Sequence, residues 1–372
     1  MQKTLSDITT ETIELAIKIQ QIPAPTFSEK QRGNFLRELF LQKGLSDVSV
    51  DSIGNVYGCI RGSGNRKPAV FSAHLDTVFP ETTDLRIRRT EDLVFGPGIG
   101  DNALGLAGLN GLIEFLRLKG NPQGDIWVVA NVCEEGLGNL KGMEAVVKRF
   151  GEDISAYVIL EGNTLGKIYH RALGVQRYRI RAETAGGHSW TNFGRPSAVH
   201  ELAFLIGKIA RIKLPAKPRT TLNIGTVQGG FSVNTIAAEA QMELDMRSES
   251  PESLSHLVRR INNMVMGANR SGEDYVRMQA TLIGQRPAGE LPQDHPLVLL
   301  AVQCLAKQGI TPLLGIGSTD ANIPISMGLP AICVGLTQGS GAHTIEECIE
   351  LRPIQKGIQL LGDLAEGIFQ HL

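Results

Sequence analysis

Apolar residues in the first 45 positions recur at helical spacing, interrupted by charged residues, and predict amphipathic helices over 8–21 and 27–43 separated by Pro23-Ala24-Pro25. The period then shortens. Residues 48–62 alternate around Ser52-Ile53-Gly54-Asn55, a hairpin pattern, and Lys67 to Asp76 forms a short apolar run closed by His74 and Asp76. Helix and strand then alternate: helix 103–118, apolar strand 125–133, helix 139–150 and apolar strand 156–161. Continuous apolar strands between helices predict a mainly parallel sheet covered on both faces.

From about residue 175 the order changes to strand 175–185, helix 196–212, strands 220–228 and 238–247, helix 251–268 and strand 274–283. This β-α-β-β-α-β order is the ferredoxin-like unit, which buries one sheet face under two helices. Beyond residue 286 the first pattern resumes with helix 296–308, strand 331–335 and helix 353–370. The expected organisation is a catalytic α/β domain in two parts, 1–174 and 287–372, with an α+β domain over 175–286 inserted between them. A chain of 372 residues exceeds the usual size of a single core.

Composition narrows the class without adding chemistry. Hydrophobic residues make up 42% and charged residues 20%, the balance of a chain that buries sizeable cores. With 37 basic against 38 acidic side chains, no global field favours nucleic acid or an anionic membrane. The five cysteines, Cys59, Cys133, Cys304, Cys333 and Cys348, are scattered through apolar runs and read as reduced core residues. The opening segment lacks the unbroken apolar core of a signal peptide, and no run approaches the ~20 apolar residues of a membrane helix. A cytoplasmic location is expected.

The chemistry concentrates where predicted strands end, the edge at which open α/β sheets place functional residues. One strand ends in His74-Leu75-Asp76, the next leads into Glu134-Glu135, and a third ends in Glu161. Asp101 precedes a helix in GPGIGD, and His343 lies in GSGAHT. Each piece alone has an ordinary explanation: a surface histidine, a solvated glutamate pair, a helix N-cap at Asp101. Their convergence on one sheet edge does not, because such carboxylates repel unless cations neutralise them. Mixed imidazole and carboxylate ligands suit zinc and its neighbours.

The segments SAHLDTV, GPGIGDNALG, CEEG, LEG, GGHSW and GAHT, in that order around an inserted domain, resemble the co-catalytic dizinc metallopeptidases and deacylases. That group includes peptidase T, glutamate carboxypeptidase, aminoacylase, acetylornithine deacetylase and succinyl-diaminopimelate desuccinylase. The resemblance spans essentially the whole chain. It implies a zinc-peptidase-like fold with a ferredoxin-like lid and dimerisation domain, and two Zn2+ per chain, replaceable by Co2+ or Mn2+. It further implies that His74 and Glu161 hold one ion, Glu135 and His343 the other, and that Asp101 bridges them. Asp76 would orient His74, Glu134 would be the general base, and the peptide bond after Asp101 would be cis.

On the inserted domain, His188 in AGGHSW corresponds to the family's oxyanion-stabilising histidine, which in dimeric members reaches the partner subunit's site. Asn234 and Arg247 match positions that bind a substrate carboxylate, and Gly317, Ser318 and Thr319 match a substrate-contacting loop in which Asp320 is structural. Glu161 departs from peptidase T, which has Asp there, and puts tripeptide cleavage in doubt. The expected activity is hydrolysis of an amide bond in a small peptide or N-acyl amino acid with a free carboxylate, by a homodimer joined through 175–286. A carbamoyl or ureido hydrolase and a silent peptide-binding relative are the alternatives. Retention of Glu134 argues against the silent one, and the absence of H-E-x-x-H excludes a helical zinc protease.

Overall fold

The computed structural model describes residues 3–372. The chain forms two compact units, one running to Ala172 and resuming at Glu290, the other spanning Leu173–Gly289.

The first helix, Leu5–Gln20, starts earlier than its apolar period suggests because Thr4 and Asp7 form a capping box. The Thr4 side chain accepts from the Asp7 amide at 3.2 Å, and the Asp7 carboxylate accepts the Thr4 amide at 2.8 Å. The second, Lys30–Gln42, starts later than predicted, since Phe27 has φ 75° and breaks the helical path.

The large unit is built on a nine-stranded sheet. Its path runs Ser46–Val50, Val56–Ile60, Gly124–Asn131, Arg66–His74, Ala156–Glu161, Ala331–Gly335, Lys167–Ala172, Gly289–Glu290, with Leu313–Gly317 paired to Lys167–Ala172. The centre is parallel: Arg66–His74 pairs in parallel with both Gly124–Asn131 and Ala156–Glu161, which itself pairs in parallel with Ala331–Gly335. The hairpin Ser46–Ile60 and the pairing of Ala331–Gly335 with Lys167–Ala172 are antiparallel. The expected mainly parallel sheet flanked by helices is therefore present, with antiparallel margins.

Alternating side chains explain the continuous apolar runs. Phe71, Ala73, Val158 and Leu160 join one core, while Val70, Tyr157 and Ile159 join the core on the opposite face. Helix Leu104–Lys119 is buried at every position from Leu104 to Leu116 and packs in the first core with helices Leu5–Gln20 and Ile354–His371. Helix Lys141–Phe150 covers the other face. Several short strands escaped the sequence reading, among them two of this sheet. Lys167–Ala172 alternates buried Ile168, His170 and Ala172 with more exposed neighbours, and Leu313–Gly317 is a glycine-containing margin.

In the small unit an antiparallel sheet runs Thr220–Gly229, Glu239–Ser248, Gly174–Thr184, Val276–Arg286. Helices Ala198–Ala210 and Pro251–Gly267 pack with the sheet residues Ile180, Ala182, Met242, Leu244 and Met246. Arg177 pairs with Asp245 at 2.9 Å and Arg179 with Glu243 at 2.8 Å, so the charged positions of these strands neutralise one another. Among the described residues no helix is long and apolar enough to cross a membrane. All five cysteines are free and buried.

Candidate metal centre

Three parallel strands bring their carboxyl ends to one edge. His74 and Glu161 are the last residues of theirs, and Glu134 and Glu135 follow Asn131 in the third. Asp101 lies in the turn Ile99–Ala103 that leads into helix Leu104–Lys119. It is not an N-cap, for Ala103 occupies that place. Gly98 supplies the left-handed φ of 75° that starts the turn. Gly162 permits close approach, because a Cβ there would stand 2.1 Å from the Gly100 carbonyl oxygen.

The five proposed ligands form two groups that share Asp101. His74 Nε2 lies 3.0 Å from Asp101 Oδ1 and 3.8 Å from Glu161 Oε2. His343 Nε2 lies 3.1 Å from Asp101 Oδ2 and 3.0 Å from Glu135 Oε1. Each oxygen of Asp101 thus serves a different group. Tetrahedral ions with bonds of about 2.1 Å hold their donors about 3.4 Å apart, so both groups fit a divalent cation. The halves differ in exposure: the His74 side chain is 1% exposed and that of His343 54%. The Asp101–Asn102 peptide bond is cis.

Buried polar side chains hold the backbone that carries these donors. His74 Nδ1 is 3.0 Å from the Asp76 carbonyl oxygen and 3.5 Å from its carboxylate. The nearer partners of that carboxylate are the amides of Glu134 and Glu135, each donating at 2.9 Å, and the Thr26 hydroxyl at 2.9 Å. Asp76 therefore fixes both glutamates as well as facing His74. Sequence reasoning missed two comparable residues. Asn102 donates to the Leu160 carbonyl at 2.8 Å and accepts from the Gly162 amide at 3.1 Å, straddling Glu161. Glu347 accepts from the amides of Gly98, Gly100 and Asp101, each at 2.8 Å. The only available hints were their places inside GIGDNALG and four positions after His343.

The electrostatics are those of a site built for positive charge. Burial opposes charge on His74, but Asp101, Asp76 and Glu161 outweigh it and hold the ring well above the ordinary histidine value. Hydrogen bonds with Asp101 and Glu135 push His343 up to about 10. Burial pushes Glu161 up to about 7 against the pull of His74. Burial also acts to raise Asp101, yet the two imidazoles hold it below the usual carboxylate range.

A metal-binding prediction follows from these directions. In the ion-free protein the raised Glu161 and His343 favour folding while protonated, below about 4.5 and 6.5, and lose that contribution as pH rises through about 7 and about 10. A cation must displace those protons. Zinc binding at pH 7 is expected to release protons and to weaken by roughly tenfold or more per unit as pH falls from 7 to 6. Titration calorimetry in buffers of different ionisation heat reads both, and an affinity independent of pH from 6 to 8 would remove this ligand assignment.

The remaining sequence-derived residues are not among these donors. Gly317 ends strand Leu313–Gly317 against the Tyr169 ring, followed by Ser318 and Thr319. Asp320 is buried and accepts from Asn131 Nδ2 at 2.7 Å. In the small unit, His188 and Asn234 stand on loops joined by the two-residue ladder of Gly187–His188 with Thr235–Ile236. The exposed His188 ring accepts the Trp190 amide on Nδ1 at 3.2 Å, which in the neutral ring leaves the proton on Nε2. Arg247 Nε donates to Asp245 at 2.8 Å.

Comparison with known proteins bears on the fold and the family. The chain is 25% identical over 374 residues to a succinyl-diaminopimelate desuccinylase of Corynebacterium glutamicum, covering 98% of this chain and 97% of that one. A tripeptidase from Staphylococcus aureus superposes with a TM-score of 0.81 at 20% identity, over 97% of this chain and 99% of the other. A dinuclear metal-binding peptidase of Bacillus subtilis superposes at 0.71 with 16% identity, over 99% and 100%. The model of peptidase family M20/M25/M40 matches residues 70–367, from the strand that delivers His74 to the closing helix. By that match the chain belongs to peptidase family M20/M25/M40 and is a metal-dependent amide hydrolase.

Proposed function

We propose that the chain uses two zinc ions to hydrolyse the amide bond of a small peptide or N-acyl amino acid that carries a free carboxylate. The observation that carries this reading is the division of Asp101 between two donor groups, one of which includes Glu135, next in sequence to the buried Glu134. Asp101, Glu135 and Glu161, with His74 and His343, would hold the two divalent ions, and the one positive charge left over would acidify water and polarise the scissile carbonyl. Glu134 takes the proton of the attacking water and returns it to the leaving nitrogen. His188 donates from Nε2 to the developing oxyanion, in its own or a partner subunit. A panel of dipeptides, tripeptides and N-acyl amino acids, assayed with zinc, cobalt and manganese for released amine, tests the assignment. No turnover of any carboxylate-bearing amide with any of the three ions would overturn it.

Substrate selection belongs to Arg247 and Asn234, with Gly317 and Ser318 at the edge of the sheet. Asp245 pins the Arg247 guanidinium through Nε in a side chain that stays 40% exposed, an orientation suited to a planar bidentate contact. Arg247→Ala is expected to raise KM for free-carboxylate substrates by roughly 10–100-fold with little change in kcat, since the contact exists before and during reaction. Equal effects on amidated and free substrates would assign Arg247 to structure alone.

We place the enzyme in the cytoplasm as a homodimer joined through the Leu173–Gly289 unit. Trp190, Phe193, Phe231 and Val233 are 87–101% exposed, all on the two loops that carry His188 and Asn234. Large apolar side chains so exposed mark surfaces that meet a partner.

A further inference from the structure

Glu347 has no part in the reaction described above, yet it is a fully buried carboxylate beside the donor cluster. Its two oxygens accept three backbone amides of one loop, those of Gly98, Gly100 and Asp101. Its own carbonyl accepts a fourth, from Gly96, at 2.8 Å. One residue thereby ties the segment that carries His343 to the loop that carries Asp101.

The loop needs such an acceptor. Gly96, Gly98 and Gly100 give it little conformational preference of its own, and its inward amides would otherwise be unsatisfied. A carboxylate accepts on both oxygens, whereas an amide would turn an N–H against one of these donors. The His343 segment needs an anchor as well. His343 has φ 65° and sits among exposed neighbours, and its nearby bonds, Thr344 to Gly341 and Glu347 to Thr344, lead to Glu347. His74 and Glu161, in contrast, are fixed at the ends of strands in the sheet ladder.

We propose that Glu347 is a positioning residue that sets His343 against Asp101 and so completes the Asp101–Glu135–His343 donor group, leaving the His74–Glu161 half to the sheet. The inference rests on the dinuclear reading of the site. Its consequence is selective, because Asp101 belongs to both groups and His343 to one, so losing Glu347 weakens one ion far more than the other.

The test is calorimetric titration of metal-stripped full-length protein with zinc, alongside steady-state kinetics. Wild type is expected to take two equivalents. Glu347→Gln should keep the first within about threefold, weaken the second by about 10–100-fold, and lower kcat with KM nearly unchanged. Glu347→Asp, which restores the charge one methylene short, should fall between the two. Glu114→Gln is the control, a buried carboxylate held by Lys3 and Lys43 away from the donor loops, expected to lower thermal stability with both affinities intact. A second equivalent of wild-type strength in Glu347→Gln overturns the proposal and leaves the dinuclear reading standing. Equal weakening of both equivalents also overturns it, and fewer than two ions on wild type overturns both.

Discussion

Glu134→Ala should bind two zinc ions as wild type does and lose kcat by roughly 10³–10⁴-fold or more. The substitution removes a proton carrier without touching a donor group, and general acid and base roles each contribute about 10²–10⁴. The fold has little reason to change, because the bond that fixes this position is made by the Glu134 amide to Asp76 and survives the substitution. Glu135→Ala should behave differently, losing ion occupancy together with rate, since Glu135 Oε1 is one of the donors facing His343. On this expectation two neighbouring glutamates on one short segment would separate catalysis from binding. Elemental analysis beside the kinetics decides the matter: equal metal content in both variants with equal loss of activity would mean their roles are exchanged or shared.

His188→Ala should lower kcat by roughly 10²–10³-fold with metal content intact, the usual cost of removing a donor aimed at charge that develops only in the transition state. Mixing inactive Glu134→Ala with inactive His188→Ala protein tests where the histidine acts. Recovered activity after subunit exchange places His188 in the partner's site. No recovery, with exchange verified, places it in its own.

What the sequence disclosed follows the range over which its signals act. His74 and Glu161 were legible because a buried parallel strand is an unbroken apolar run, and its last residue stands at the functional edge. Asp101 and His343 sit in irregular segments and were placed by resemblance, since neither periodicity nor spacing says where a glycine-rich loop folds back. Asn102 and Glu347 escaped for a related reason. Their partners lie 58 to 60 and 246 to 249 positions away, and a polar residue bonded to distant backbone leaves no local pattern. The strand Lys167–Ala172 does alternate, but over only six residues with Lys167 and Arg171 among its outer positions, a run too short and too polar to stand out.

The place of Ala331–Gly335 in the sheet bears on how the protein is made. That strand lies between Ala156–Glu161 and Lys167–Ala172, which are neighbours in the chain and not in the sheet. A nascent polypeptide therefore emerges with a gap at the centre of its main sheet, filled only after the whole Leu173–Gly289 unit has been synthesised. Contacts so distant in sequence form slowly, and until they form, apolar strand edges stand open to wrong partners. Glu161 ends the strand beside the gap, and His343 lies beyond the strand that fills it, so the two candidate donor groups come together last, as a mark of completed assembly.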